Sequence, residues 1–186
     1  MGLPSVHWLV TGAAALGSFA ALASCSSNPS GAGADGSAGG CQAYATDASL
    51  TMPKASLRAD VLPVFQSTCS AQARPCHGDP IVTAEGRPFL GLSDGGTDPA
   101  LILQQIVGVP SYEDPSMNLV TAGDPAQSYL MHKLDDDQCT LAPECMKGGS
   151  PSTDCGWFMP YRADAPLPFQ VRDAVRRWIA QDAPNN

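Results

Sequence analysis

The pattern of apolar and polar positions predicts its clearest helix near the end of the chain. Within residues 167–181, apolar side chains recur at steps of four, four, three and one, which is the spacing of one helical stripe: Leu167, Val171, Val175, Trp178 and Ile179. The intervening polar side chains are expected to form the solvated face of that helix: Arg172, Asp173, Arg176 and Arg177. Pro166 and Pro168 suit the entry to a helix.

Three shorter helices are predicted upstream, each from a capping residue followed by an apolar run. They cover residues 61–68 after Asp60, 99–107 after Asp98, and 126–134 after Asp124. A proline follows the cap in the second and third helices, and Gly108 ends the second. The segments 77–96 and 135–165 are predicted to be loops, with a short extended piece at 90–92. The predicted fold class is therefore mostly α, with three to four helices and long loops.

The N-terminal residues are predicted to be a targeting signal and a linker rather than part of the fold. Residues 8–23 are apolar and rich in small side chains, and they lead into Leu22-Ala23-Ser24-Cys25. This segment resembles a bacterial lipoprotein signal, which implies cleavage of residues 1–24 and acylation of Cys25. Residues 25–40 then form a lipidated cysteine and a flexible Gly/Ser/Ala tether, and residues 41–186 form the folded domain. An ordinary cleaved signal and an uncleaved anchor are the alternatives.

The lipoprotein resemblance implies a location in the cell envelope. The protein would be lipid-anchored, on an outer membrane facing the periplasm or on the cell surface, which is an oxidising compartment where cysteines can pair. The formal net charge of −8 excludes a typical nucleic-acid binder, which needs a basic face. The same charge favours docking to a basic partner protein.

The candidate chemistry lies at the end of the first predicted helix, in the segment Cys69-Ser-Ala-Gln-Ala-Arg-Pro-Cys76-His77-Gly78. A Cys-His-Gly sequence, with another cysteine and an amphipathic helix before it, resembles the attachment site of c-type cytochromes. Met159-Pro160 resembles the sixth-ligand loop of the same family. The segment 120–130 and the final helix also resemble elements of cytochrome c-like domains in bacterial lipoproteins. The likeness covers roughly residues 55–183.

This resemblance implies a cytochrome c-like fold with disulfide-tied loops and a covalently attached haem c. Cys69 and Cys76 would form thioethers with the haem vinyl groups, His77 would be the proximal ligand of the iron, and Met159 the distal ligand. Ligation by His and Met raises the reduction potential of haem iron. The implied function is electron transfer by a membrane-tethered carrier. The sequence has no nucleophile elbow, phosphate loop or paired catalytic carboxylates, so we expect no enzymatic activity.

The spacing of the two cysteines departs from the family pattern. Six residues separate Cys69 from Cys76, where the family has two. On a helix, two intervening residues set the sulfurs about 4.5 Å apart along the axis, whereas six set them about 10.5 Å apart. Pro75 disfavours helix at Arg74, so we expect a loop from Ser70 that brings the cysteines back together. Such a loop suits either two vinyl groups or a disulfide.

The alternative function follows from the second outcome. In that case the domain keeps the cytochrome c-like helices without haem, Cys69 and Cys76 form a disulfide, and the protein is a structural or binding module on the cell surface. A zinc site at Cys69, Cys76, His77 and a later cysteine is a third possibility, which the spacing and the compartment disfavour.

Several other residues carry weaker expectations. The cysteines in the loop before Met159 are expected to form at least one disulfide: Cys139, Cys145 and Cys155. Cys41 is expected to fasten the end of the tether to the domain. Trp157 and Phe158 suit a haem wall or any core. His132 is expected to be a partly exposed helix residue, with replacement of Met159 as the iron ligand as its alternative role. Residues 135–137, three consecutive aspartates, are expected to form a solvated turn.

Overall fold

The computed structural model describes residues 50–70, 76–78, 87–92, 97–142, 144–147, 150–151, 155–161 and 163–186. The predicted signal at 1–24, the lipid on Cys25, the tether and Cys41 lie outside these ranges. The described part of the chain is helix-rich with one two-stranded ribbon, which agrees with the predicted α class. None of its helices is long and apolar enough to cross a membrane.

Four helices and one small ribbon make up the secondary structure of the described residues. Helix α1 is continuous through Leu57–Val61, Leu62–Val64 and Phe65–Cys69, and its first and last parts are π-helical. Helices α2, α3 and α4 are Pro99–Ile106, Tyr129–Asp135 and Phe169–Ala180. Single 3-10 turns lie at Pro125–Gln127 and Gln138–Leu141. Strands β1 (Met146–Lys147) and β2 (Ser150–Pro151) are antiparallel, with Met146 opposite Pro151.

Helix α1 begins earlier than predicted, because Ser56 rather than Asp60 is its cap. The Ser56 hydroxyl accepts a hydrogen bond from the Ala59 amide at 3.2 Å, and the Asp60 carboxylate accepts one from the Ser56 amide at 2.7 Å. This reciprocal pairing satisfies two amide groups at the helix start. Pro63 therefore lies inside the helix, where it has no N–H to donate and its ring crowds the preceding turn. The wider π-helical turns around Pro63 accommodate that ring.

The third predicted helix is interrupted, although its cap was predicted correctly. The Asp124 carboxylate accepts hydrogen bonds from the amides of Ala126 and Gln127 at 3.1 and 3.2 Å. Ser128 then adopts an extended conformation, with φ −115° and ψ 109°. The break occurs because Asn118 pairs with this residue like a strand, and the Asn118 carbonyl accepts from the Tyr129 amide at 2.9 Å. The second helix has the predicted cap at Asp98.

The polar face predicted for the last helix is not fully solvated. Arg176 is only 1% exposed, because its guanidinium group donates to both Asp135 oxygens, at 2.7 and 2.6 Å. Arg172 donates to the same carboxylate at 2.5 Å. The prediction that residues 135–137 form a solvated turn is therefore wrong, since the side chains of Asp135 and Asp137 are buried. Asp136 closes α3 in the left-handed conformation, with φ 61°.

The core lies between α1, α2, α3 and α4. Its largest fully buried apolar side chains come from all four helices and from the segment at Val120: Leu57, Val61, Phe65, Ile102, Ile106, Val120, Leu134, Val175, Trp178 and Ile179. Asn186 also contacts the start of α1. The Asn186 side chain accepts from the Leu57 amide at 2.8 Å, and the Asn186 backbone oxygen accepts from the Arg58 amide at 3.0 Å.

The buried Asp135 carboxylate provides a stability test. We expect Asp135→Asn to lower the free energy of unfolding by about 3 kcal/mol, because it leaves the buried charge of Arg176 without its anionic partner. Asp173→Asn is the matched control, since Asp173 pairs with Arg177 on the more exposed side of α4, where a pair is worth about 0.5 kcal/mol. Urea unfolding of both variants measures the difference. Equal losses of unfolding free energy in the two variants would show that the buried pair stabilises the fold no more than the exposed pair does.

Candidate functional site

The chain returns to the end of α1 at His77. The His77 amide donates to the Cys69 carbonyl at 3.2 Å, and the Ser70 hydroxyl donates to the His77 carbonyl at 3.2 Å. Gly78 continues this close approach, because a Cβ atom there would lie 3.3 Å from the Ser70 carbonyl oxygen. The fold therefore holds the imidazole-bearing residue directly beside the end of α1.

The two cysteines at the ends of this loop have different chemical states. Cys69 is a free thiol in the hydrophobic core, and burial raises its pKa despite the hydrogen-bond contact with Thr68. Cys76 is half-buried and disulfide-bonded. The Cys69–Cys76 disulfide of the alternative prediction is therefore wrong. The physical reason is that Cys69 ends α1 on its buried face and packs with apolar side chains.

The ring of His77 is fixed by one hydrogen bond. Its Nδ1 atom lies 2.9 Å from the carbonyl oxygen of Pro88. A carbonyl can only accept, so Nδ1 carries the proton and donates. Nε2 then bears the lone pair of the neutral ring, and within the described part of the chain it makes no hydrogen bond of its own.

The surroundings of His77 favour the neutral imidazole. Burial is the main cause that lowers its pKa, and the positive charges of Arg87 and Lys133 lower it further, while the hydrogen bond to Pro88 opposes them. A metal binds only the neutral ring, and metal-ligating histidines commonly donate their other N–H to a carbonyl. His77 therefore has the tautomer and the charge state of a metal ligand.

A buried lysine connects the other predicted ligand to α3. The Lys133 carbonyl accepts a hydrogen bond from the Met159 amide at 2.7 Å. The Lys133 ammonium group donates to Glu113 Oε2 and to the Cys155 carbonyl, both at 2.9 Å. The Tyr129 hydroxyl donates to the same glutamate oxygen at 2.6 Å. This cluster of Glu113, Tyr129 and Lys133 fixes the backbone from Cys155 to Met159 against α3.

The segment 155–159 has little room for other side chains. Gly156 has φ 73°, and a Cβ atom there would lie 2.6 Å from Glu113 Oε1.

Met159 is partly buried and packs against the core. Phe158 is buried, whereas Trp157 is 47% exposed and makes an edge contact with Tyr161 at 6.0 Å. Trp157 and Phe158, which suited either a haem wall or a core, therefore lie in different environments, and only Phe158 is in the interior.

Disulfides restrain the loop that precedes Met159, as predicted. Cys145 and Cys155 are bonded, with their Cα atoms 5.2 Å apart, and Cys139 is also in a disulfide. Because Cys145, Cys155 and Cys76 are all oxidised, these residues do not form the zinc site considered above. In the described ranges, no three His, Cys, Asp or Glu side chains gather as a metal site.

Sequence reasoning proposed His77 and Met159 as ligands but did not predict the groups that position them. The Pro88 carbonyl has no sequence signal, since backbone acceptors are common to every residue. Tyr129 and Lys133 are four residues apart and so share a helix face, but nothing in the sequence indicates that Glu113 joins them. Comparisons with protein-family models, with curated proteins and with solved structures find no match.

The free thiol can be tested by alkylation without a reductant. We expect Cys69 to react with iodoacetamide at least about tenfold more slowly in the folded chain than in urea, because the thiol is buried and its raised pKa leaves little thiolate. Peptide mapping identifies the labelled site. Cys76, Cys139, Cys145 and Cys155 should stay unlabelled in urea until a reductant is added, and labelling of Cys76 before reduction would contradict the structure.

Proposed function

We propose that this chain is a membrane-tethered electron carrier of the cytochrome c-like type, with haem c as its redox group. His77 is the proximal ligand and Met159 the distal ligand of the iron. Cys69 and Cys76 are the attachment residues, and a lipid on Cys25 holds the domain at the cell envelope. The single observation that carries the proposal is the hydrogen bond from His77 Nδ1 to the Pro88 carbonyl, at 2.9 Å.

This hydrogen bond supports ligation because it fixes the orientation of the ring and places the proton on Nδ1. His77 is only half-buried, so water satisfies Nε2 when no metal is bound. Here the fold fixes one nitrogen and lowers the pKa of the ring, which keeps the second nitrogen available to a metal. When bound, a haem supplies one-electron chemistry at its iron, with a potential raised by His/Met ligation.

The attachment residues fit a haem only in part. Cys69 is a free thiol, as a thioether requires, but it is buried in the core, so attachment would need α1 to open at its end. Cys76 does not fit while it is in a disulfide, because both of its sulfur valences are used. Double attachment requires reduction of that disulfide, with two electrons and two protons from a thiol reductant. The disulfide of Cys76 can be reduced and re-formed. The hydrogen bond that orients the His77 ring belongs to the fold and does not depend on that redox state.

The rest of the chain gives the carrier a rigid site and a charged surface. The cluster of Glu113, Tyr129 and Lys133 holds Met159 through the Lys133 carbonyl. The formal net charge of −8 favours encounter with a basic redox partner, and it raises the association rate more than the affinity.

The second candidate is a haem-less structural or binding module with the same helices. The Cys76 disulfide favours it, because an oxidised cysteine ties the loop down where a thioether would otherwise do so. The burial of Cys69 among core side chains also suits a cysteine that acts only as a small apolar residue.

One spectrum separates the two candidates. We expect the full chain, expressed with haem-maturation machinery, to show a sharp α band after reduction and an intact mass that includes the cofactor. His77→Phe should remove the native ligand-field spectrum because it removes the iron-binding nitrogen, whereas His132→Gln, the control, should retain it. A reduced sample with no α band and the mass of the polypeptide alone would reject the electron carrier and favour the haem-less module.

The distal ligand has its own test. Met159→Leu should keep the haem attached but lower its reduction potential, because a thioether ligand stabilises ferrous iron. Met131→Leu is the matched control, since Met131 is buried in the core on α3. Potentiometric titration of the three proteins measures the change. Equal potentials in the wild type and in Met159→Leu would show that Met159 is not a ligand.

A further inference from the structure

The ring of His132 contacts hydrogen-bond acceptors at both of its nitrogen atoms. Nδ1 lies 2.8 Å from an Asp137 carboxylate oxygen, and Nε2 lies 3.2 Å from the Ala126 carbonyl oxygen. A neutral imidazole has a single N–H group, so it can donate to only one of these oxygens. The imidazolium form donates to both. The geometry around His132 is therefore complete only when the ring carries a proton.

The two acceptors belong to different parts of the chain. Ala126 is in the 3-10 turn Pro125–Gln127, and Asp137 directly follows the end of α3. Asp137 is itself well fixed, because its amide donates to the His132 carbonyl at 3.2 Å and its own carbonyl accepts from Thr140. The protonated ring therefore connects the turn before α3 to the residues that follow the helix, in addition to the bonds that Asp124 makes to the amides of that turn.

The charged groups that face the ring favour the proton. They are the carboxylates of Asp137 and Asp135, and Asp135 is shared with Arg172 and Arg176 of α4. Burial acts in the opposite direction and is the largest single influence. The hydrogen bond and charge of Asp137, the Ala126 carbonyl and the charge of Asp135 together outweigh it, so the pKa of His132 is raised.

We propose that His132 is a proton-operated latch that fastens the turn Pro125–Gln127 to the end of α3 when it is protonated and releases that turn when it is neutral. The neutral ring keeps its N–H on the Asp137 carboxylate, because a hydrogen bond to an ionised acceptor is the stronger of the two. The contact with Ala126 is the one that is lost. Because this latch uses no haem contact, it does not depend on the proposed function.

The sign of the effect on stability follows from the direction of the shift. A folded pKa above the ordinary value of about 6.5 means that the folded chain holds the proton more tightly than the unfolded chain. The contribution of His132 to stability is therefore complete below about pH 6.5. It is lost as the pH rises through the raised pKa of the folded state.

The test combines imidazole NMR with hydrogen exchange on the full chain. We expect His132 to titrate above pH 6.5 and to carry protons on both nitrogens at pH 6. Amide protection at residues 126–128, corrected for the intrinsic pH dependence of exchange, should fall as His132 deprotonates. Assignment is direct, since the chain has three histidines.

Two variants separate the latch from a general loss of stability. His132→Gln keeps a donor but cannot hold the proton, so protection at residues 126–128 should no longer change over this pH range. Asp137→Asn should move the titration of His132 to lower pH, because it removes the carboxylate charge. Thr140→Val is the control, because it removes a hydrogen bond to Asp137 but keeps the carboxylate, and it should leave the titration in place. Titration of wild-type His132 at or below pH 6.5, or unchanged protection across its titration, would overturn the proposal, even if a variant fails to fold.

Discussion

The buried carboxylate of Asp135 is the constraint on which the other features of this domain depend. It binds two guanidinium groups of α4 and so fixes α3 in the core. A charge that is buried this deeply requires well-aligned partners, and a small displacement of either helix would leave it unsatisfied. The resulting position of α3 also places two other residues of that helix. The Lys133 carbonyl accepts a hydrogen bond from the Met159 amide. The His132 ring contacts Ala126 before the helix and Asp137 after it.

Two features of the site point to different chemistry. The imidazole of His77 is arranged like that of a metal ligand, whereas Cys76 is oxidised and Cys69 is not. In the oxidising compartment that the lipoprotein resemblance implies, a half-buried thiol finds another cysteine unless a reductant intervenes, so the second feature needs no functional explanation. The first feature is part of the fold and does not change with oxidants or reductants, and for that reason it has the greater weight in the proposed function.

The sequence predicted the elements that depend on local chemistry and failed where distant residues decide. Asp98 and Asp124 cap as expected, because a side chain that accepts from an amide two residues later needs no other partner. The break at Ser128 could not be predicted, since it results from pairing with Asn118. The burial of Arg176 was missed for the same reason, because its partner is on another helix. In the site, a loop after Ser70 was expected and the chain does return to Cys69 at His77, but the oxidation state of each cysteine depends on which sulfurs meet in space.

The contacts of Asn186 make the start of α1 depend on a residue far along the chain. The amides of Leu57 and Arg58 find acceptors on Asn186, which is 129 positions after Leu57, so the first turn of α1 is complete only when that long loop has closed. Contacts between such distant residues form late, because a long loop must close first. A change that displaces Asn186 therefore acts on α1, the helix that carries Cys69 at its opposite end.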